Sequence, residues 1–523
     1  MFNILTQPLI RTDRGAYTLP GVLAALARDE VDCFPALRAH QGPSWHMFVV
    51  QLAGIALRRS GSSEVFEDER SWLKALRNLT PQFSEDEPWH LVIDDWSIPA
   101  FFQPPVPDGV PLKSHVPTPD AIDLLITAKN HDLKQSIARN GQPEDWLFAL
   151  VSLQTGEGYG GRGNQGIARM NGGSASRSMF ALAPLPENSV KMMSPRLGGR
   201  FKRDVAALLS TYQSEIAEYD FYSESGVSLT WVESWPEGVA LQLKDLDIWF
   251  IDVCRRVRLV SSNGMLSGFK GNSVAPRIDA KHLNGALGDP FTPTHKTEKK
   301  SLTVSKSGFD YTKLVEILFS GEWRLPILAR LAPSDAKGVP ICLMAEAIVH
   351  GNSKTDGFKS RILPINGERF SILGTESQRL NKIAKSQIED VDVFNKAIGG
   401  SLALAAAGGD RERRQKEHYK YAREAQDHFD QSVDSIFFKH LWEILDAQDG
   451  SAGALDAAKL RWSKVLYGFA LTAFDNALPG VPCAGVFRPR AESRARRSFI
   501  GSVKYHYPEL FEKSEKEGVD HAA

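Results

Sequence analysis

The sequence predicts an α+β protein: a large mixed N-terminal domain with irregular loops, residues 1–375, followed by a C-terminal four-helix bundle, residues 376–523. Three observations carry this reading. Proline and glycine crowd the stretch from 79 to 120 (Ser97-Ile98-Pro99, Gln103-Pro104-Pro105, Pro107-Asp108-Gly109), which argues for loops laid over a scaffold. Between 227 and 260, SLTWVESW and LDIWFIDVCRRVRLV are rich in Trp, Ile, Val and Phe and read as strands broken at Pro236-Glu237-Gly238. After 376 proline all but disappears until Pro479, and apolar residues recur by threes and fours.

Taken in order, the chain opens with a short strand or hairpin over Asn3–Leu9, a turn at Asp13-Arg14-Gly15 and a helix through Val22, Leu23, Leu26 and Ala27. Phe48, Val49, Leu52, Ile55 and Ala56 recur at helical spacing and predict a mostly buried helix, with His46 as a core or capping histidine at its start. Trp146–Leu153 is an apolar run that stops at Thr155, where a glycine-rich segment begins. Residues 294 to 306, THKTEKKSLTVSK, read as a solvated hairpin or loop. In the bundle, Phe429, Val433, Ile436, Phe437, Leu441, Ile444 and Leu445 share one helix face, and Trp462, Val465, Leu466, Phe469 and Ala473 share another. Helices near 379–406 and 490–505 complete the four.

Composition narrows the function. A chain of 523 residues exceeds what one core accommodates, giving about two to three domains. At 42% hydrophobic and 24% charged it is an ordinary globular sequence. Cys33, Cys254, Cys342 and Cys483 are far apart and form no CxxC pair, so they read as buried thiols and neither zinc nor a redox pair is expected. The start lacks a basic segment followed by an apolar run, and no stretch of about 20 apolar residues occurs, so a soluble, cytoplasmic protein without a membrane partner is expected. A net charge of -1 argues against a freestanding nucleic-acid binder, since phosphate neutralisation supplies most of such a protein's affinity, but not against one subunit of a larger assembly.

Residues 156–166, GEGYGGRGNQG, contain a GxGxxG pattern. A dinucleotide fingerprint follows a strand and opens a helix, and here the glycines run on through Arg162, Gly163, Asn164 and Gly166 into a poor helix start. There is no GxxxxGK[ST], HExxH or GxSxG, so no catalytic residues, cofactor or metal are predicted and the protein is not expected to be an enzyme. A run of glycines lets backbone approach another surface closely and offer N–H groups, as in a DNA minor groove whose acceptors are adenine N3 and thymine O2; a packing turn is the alternative. Two basic stretches stand in the C-terminal part. Arg411, Arg413, Arg414, Lys416, Lys420 and Arg423 are interleaved with acids and read as a helix face knit by ion pairs. Arg488, Arg490, Arg494, Arg496, Arg497 and Lys504, offset by Glu492 alone, form a basic bundle face that could meet nucleic acid, an acidic partner or solvent.

In sequence order these features resemble the CasA family, the large subunit of the type I-E CRISPR Cascade complex, over essentially the whole chain. The opening FNILTQPLI resembles that family's start, Ala100-Phe101-Phe102-Gln103 its PFMQ segment, GYGGRGNQG with Gly172-Gly173 its glycine loop and the GG after it, and REAQDHFDQSVD its bundle. The resemblance implies a non-catalytic protein of antiviral defence. Such a protein recognises the protospacer-adjacent motif (PAM) in duplex DNA, promotes duplex opening and R-loop formation, and recruits a helicase-nuclease. Its implied partners are other Cascade subunits, the crRNA within that ribonucleoprotein complex, and double-stranded target DNA.

Residue by residue, the glycine loop carries over onto Gly158, Tyr159, Gly160 and Gly161. The wedge falls at 350–357, where Asn352, Ser353 and Lys354 would meet DNA; the family's glutamine is missing, and Asn352 and Lys354 are its substitutes. The lysine finger falls among Lys270, Arg277 and Lys281, with Lys270 preferred, and a loop toward DNA or the guide end places Lys129 and Asn130. The zinc cysteines of some members are missing, leaving Cys254 alone. Two rival readings are a nucleotide-binding enzyme using the loop 156–166 and a purely structural scaffold.

Overall fold

The computed structural model describes residues 2–124, 141–171, 176–186, 194–332, 335, 340–351, 354–365 and 377–512. It divides into two compact units, Met1–Phe309 with Gly321–Gly374, and Asp310–Ser320 with Thr375–Ala523.

The first unit contains helices α1 (Leu19–Ala27), α2 (Gly42–Arg59), α3 (Glu69–Arg77), α4 (Pro143–Gly156) and α5 (Leu197–Glu218). Its strands are β1 (Ile10–Thr12), β2 (Gly15–Tyr17), β3 (Ser114–Val116), β4 (Met179–Pro184), β5 (Val227–Leu229), β6 (Leu246–Ile251), β7 (Arg256–Ser262), β8 (Met265–Gly271), β9 (Thr294–His295), β10 (Trp323–Arg324), β11 (Ile341–Gly351) and β12 (Lys354–Ile365). Helix starts follow local chemistry: Thr18 accepts from the Gly21 amide at the head of α1, and Asp68 from the Ser71 amide at the head of α3. α2 is buried from Pro43 to Leu57, as its spacing predicts. His46 is a core histidine whose Nε2 lies 2.8 Å from the Asp204 carboxylate, with burial pushing its pKa down to about 4.

The strands form small sheets. β4, β11 and β12 make one antiparallel sheet, β3, β8 and β7 another, and β5 pairs with β6 in parallel. With so little ladder, buried loop carbonyls need other donors. Arg258, fully buried in β7, donates to the carbonyls of Ile93, Asp95, Ile98 and Gln103, which pins the proline-rich loop to the sheet. The buried Gln103 carboxamide donates to Leu91 and Phe101 oxygens and accepts from the Leu259 amide. Phe101 and Phe102 pack on Trp231, with Phe102 stacked at 4.6 Å.

Two expectations in this unit need correction. Residues 3–9 form no strand: the Asn3 side chain accepts from the Leu5 amide and Gln7 donates to the Asn3 carbonyl, bending the chain so that the hairpin begins at Ile10. Of SLTWVESW only Ser228 and Leu229 are strand, the end of β5, because Thr230 turns its hydroxyl onto the Ile251 carbonyl and a 3-10 turn follows.

The second unit contains α6 (Tyr311–Phe319), α7 (Ser377–Ala406), α8 (Arg423–Gln448), α9 (Ala454–Ala477) and α10 (Arg488–His506). Phe429, Val433, Phe437, Leu441 and Trp462 are in its core as the spacing requires, while Ile436, Val465 and Phe469 are half-buried at its edge. α6, which lies before the expected boundary, belongs here: the Tyr311 amide donates to Asp434 and its ring lies 4.7 Å from that of Phe437. The basic stretch at 411–423 is not an α-helical face. Gly408 and Gly409 leave α7 with φ of +70° and +76°, and the chain continues through turns into a 3-10 helix, Lys416–Ala422.

Arg258→Met should leave four loop carbonyls without their donor and cost about 3 to 5 kcal/mol, read as a fall in the urea midpoint, with Arg258→Lys recovering only part of it.

Candidate nucleic-acid interface

α4 is buried along its length from Trp146 to Gly156, and the chain leaves it extended at Glu157. The segment that follows is an excursion closed at its neck, where the Ile167 amide donates to the Glu157 carbonyl at 3.0 Å. Inside it, Gly160 donates to the Asn164 carbonyl and Asn164 to that of Gly161, both at 2.9 Å. Arg255 lies under this loop and donates through Nη2 to the Gly158 carbonyl at 2.9 Å. The Gln154 carboxamide holds Arg255 in turn, accepting from the Cys254 and Arg255 amides and donating to the Arg255 and Phe102 carbonyls. A continuous set of hydrogen bonds thus runs from the Ala100–Gln103 segment to the glycine loop.

The glycines divide into two kinds. A Cβ on Gly160 would lie 3.2 Å from the Arg255 guanidinium, and one on Gly163 only 2.7 Å from the Asn272 Cβ, so these positions make room for the protein's own side chains. Gly161, at φ +100°, has nothing within 4 Å of its Cβ position; its bare face is open. Gly158 is buried, so the outer edge of the loop is Tyr159, Gly160, Gly161 and Arg162. Because the loop follows a helix and opens none, the dinucleotide pattern has no structural counterpart.

β8 brings Lys270 to the same place. The Ser273 amide, just beyond the strand, donates to the Gly163 carbonyl at 2.9 Å, and Lys270 lies on the walls of two clefts flanking the loop, of about 350 and 790 Å3. Lys270 reaches solvent, yet partial desolvation and then the nearby Arg255 charge hold its ammonium below the usual lysine range. Arg277 is instead a buried tie, donating to the carbonyls of Thr230, Glu233 and Ser234, its pKa pushed down to about 10 by burial. Lys281 is exposed on a 3-10 turn away from these cleft walls. The β11–β12 hairpin also approaches: Glu157, raised by burial, is drawn back first by Arg255 and then by His350, near the end of β11. Lys354 opens β12 opposite Gly351. Asn352, Ser353, Lys129 and Asn130, and also Gly172-Gly173, lie outside the described residues.

No protein-family profile matches the sequence, and no curated protein matches it. Solved structures do. A crystal structure of CasA from Thermus thermophilus aligns with a TM-score of 0.63 at 15% sequence identity, covering 96% of this chain and 99% of that one. Thermobifida fusca Cse1 aligns at 0.61 and 14% identity over 98% and 99%, and Acidimicrobium ferrooxidans Cse1 at 0.59 and 13% over 96% and 98%. CasA and Cse1 name the same protein in Thermus thermophilus. The chain has the CasA fold. The sequence resemblance and the CasA fold therefore coincide over nearly the whole chain.

On this CasA fold the basic bundle face is largely occupied by its own unit. Arg490 and Arg494 donate to the carbonyls of Gly408 and Gly409 at the end of α7, Arg488 donates to the Pro479 carbonyl, and Arg496 pairs with Asp475 at 2.8 Å. Arg497, exposed, is without a carboxylate partner among the described residues, on the wall of a cleft of about 750 Å3 shared with Arg411 and Arg494. Cys254 is a buried thiol donating to the Leu153 carbonyl, pushed up to about 12 by burial, and Cys342 is also buried. Cys33, by contrast, is exposed, against the expectation of a buried thiol, and Cys483 is partly so. Sequence reasoning missed Lys113, Arg162 and Arg255 at the loop, and had His350 only as the first residue of the wedge segment. For Arg162 the signal was its place inside the glycine run; for the others nothing local marked them.

Two outcomes follow for the loop. Arg255→Met should raise hydrogen exchange at the Gly160 and Asn164 amides about tenfold, with the global unfolding midpoint nearly unchanged. Asp252, whose carboxylate accepts from the Ala168 amide just past the loop, is fully buried, and desolvation pushes it up to about 6. Its folded pKa lies above the ordinary 3.8, so its contribution to stability is full below about 3.8 and lost as pH rises through about 6. Asp252→Asn should therefore be more stable than the native chain at pH 7.5, by on the order of 3 kcal/mol, with the difference vanishing near pH 4 in urea titrations.

Proposed function

We propose that this chain is the non-catalytic large subunit of a type I-E Cascade complex, reading a short motif in duplex DNA with the glycine loop and Lys270. One observation carries the reading: two elements distant in sequence, singled out separately for DNA contact, converge on one pair of clefts joined by the Ser273–Gly163 hydrogen bond. The open face at Gly161 is where backbone can approach a groove floor, and a minor-groove reader built from backbone donors discriminates against the guanine amine. The net charge of -1 is no obstacle when other subunits supply the positive channel and guide pairing supplies sequence.

In this reading the end of the β11–β12 hairpin, with Asn352, Ser353 and Lys354, enters the opened base-pair step, at a cost of a few kcal/mol repaid by heteroduplex formation. The crRNA and the other Cascade subunits hold the target, Lys129 and Asn130 contact DNA or the guide end, Arg497 is the bundle-face arginine left for a partner or strand, and a separate helicase-nuclease does the cutting.

The deciding experiment compares binding of the reconstituted complex, with and without this subunit, to duplexes sharing a guide-matched target but differing in the flanking trinucleotide. Tight binding should need the subunit and vary at least tenfold with the flank. Gly161→Asp should abolish that dependence, while a target already unpaired at the flank still binds. If the flank has no effect with the subunit present, the chain is a scaffold and the reading fails.

A further inference from the structure

The larger of the two clefts has a chemistry of its own. Its walls are the outer edge of the glycine loop, the start of β3 and the end of β8 with the residues after it, and its volume is about 790 Å3. Three cations face it, Lys113, Arg162 and Lys270. All three are exposed, and none is engaged by a carboxylate among the described residues. Lys113 stands one residue before β3, whose Ser114 is opposite Lys270 in β8, and Arg162 lines the same cleft from the loop. The acidic side chain on the wall, Glu237, is already used: it accepts from the Val274 amide at 2.8 Å and pairs with Arg256 at 3.3 Å. Excess positive charge is therefore left to the cleft in a chain whose net charge is -1.

Among these cations stands Tyr159, a large aromatic that is 41% exposed. An exposed ring beside unpaired cations is how proteins hold single-stranded nucleic acid: the cations follow the phosphates, and the ring takes the face of an unstacked base. In a duplex the base faces are covered by their neighbours, so Tyr159 would meet only edges and sugar. From this we infer that the cleft seats a single-stranded segment of nucleic acid, phosphates on Lys113, Arg162 and Lys270, one base on Tyr159. The inference rests on the reading of the loop as a DNA contact and extends it: the surface that meets the duplex also retains a strand once it is opened.

The test uses the full chain and a fluorescent oligothymidylate of about 10 nucleotides, titrated over a range of salt. Binding should fall with salt with a log–log slope near about -2, three phosphate contacts at about -0.7 each. Lys113→Gln with Arg162→Gln should flatten the slope to about -0.7. Tyr159→Ala should weaken binding about 5- to 150-fold, the range of one base–aromatic stack, and Tyr159→Phe should restore it. Lys439→Gln, an exposed position on the other unit, should change nothing. The inference is overturned if the chain does not bind the oligonucleotide, if Tyr159→Ala and the double cation variant bind as the native chain does, or if Arg497→Gln is the change that abolishes binding, since that puts the strand on the bundle; an acidic protein partner is then the occupant to seek. These outcomes are separate from flank dependence in the assembled complex, which decides the broader reading alone.

Discussion

The first unit depends on one constraint: a backbone buried outside regular ladders must still find donors for its carbonyls. Its sheets are two or three strands wide, and most of the chain between them is loop. Buried arginines and carboxamides meet the need. Arg258 holds the proline-rich segment, Arg277 the turn after β5, Gln103 the strand β7, and Gln154, at the end of α4, the backbone of Phe102 and of Cys254–Arg255. Burying a guanidinium is costly, and the low pKa of about 10 at Arg258 and Arg277 records that cost; several charge-assisted bonds to carbonyl oxygens offset it. Removing such a donor affects whole loops, which is why the glycine-loop surface is only as rigid as these ties.

The glycine loop is the clearest case. Its position is set by Arg255, which Gln154 sets, and Gln154 also holds the carbonyl of Phe102, a residue at φ +57° in an aromatic cluster. A strained non-glycine backbone persists because stacking on Trp231 and the Gln154 bond over-determine it. Rigid core and exposed loop edge are consecutive members of one hydrogen-bonded series. Small movements at the loop are thus resisted by the core, the behaviour required of a surface that discriminates by close fit.

Charge works in the same local way. The whole chain is almost neutral, yet the cleft beside the loop collects Lys113, Arg162 and Lys270 from three separate segments while its acid is committed elsewhere. On the bundle the reverse happened: an arginine-rich helix that looked like a binding face spends Arg490 and Arg494 on the Gly408 and Gly409 carbonyls just past the end of α7. Residue type and density along the chain could not separate these cases, because what differs is whether a carbonyl or carboxylate from elsewhere lies within reach.

Local pattern was enough for the periodic parts: the buried α2 and α4, the helices of the second unit from Ser377 onward, the strands β6 and β7, and the unusual status of the glycine segment. Helical and strand periods are local, and glycine removes a side chain wherever it stands. Side chains reaching back to their own backbone moved the opening hairpin from Asn3 to Ile10 and cut the strand at Thr230, competition that hydrophobic pattern does not register. Long-range packing alone settled that α6 joins the helical unit, that Lys270 rather than Arg277 faces the loop, that Gly160 and Gly163 serve internal packing while Gly161 stays open, and which arginines the bundle uses for itself. Each of those depends on a partner brought from far along the chain, and the energy of a hydrogen bond or a close contact is fixed by distance in space, about which separation in sequence says nothing.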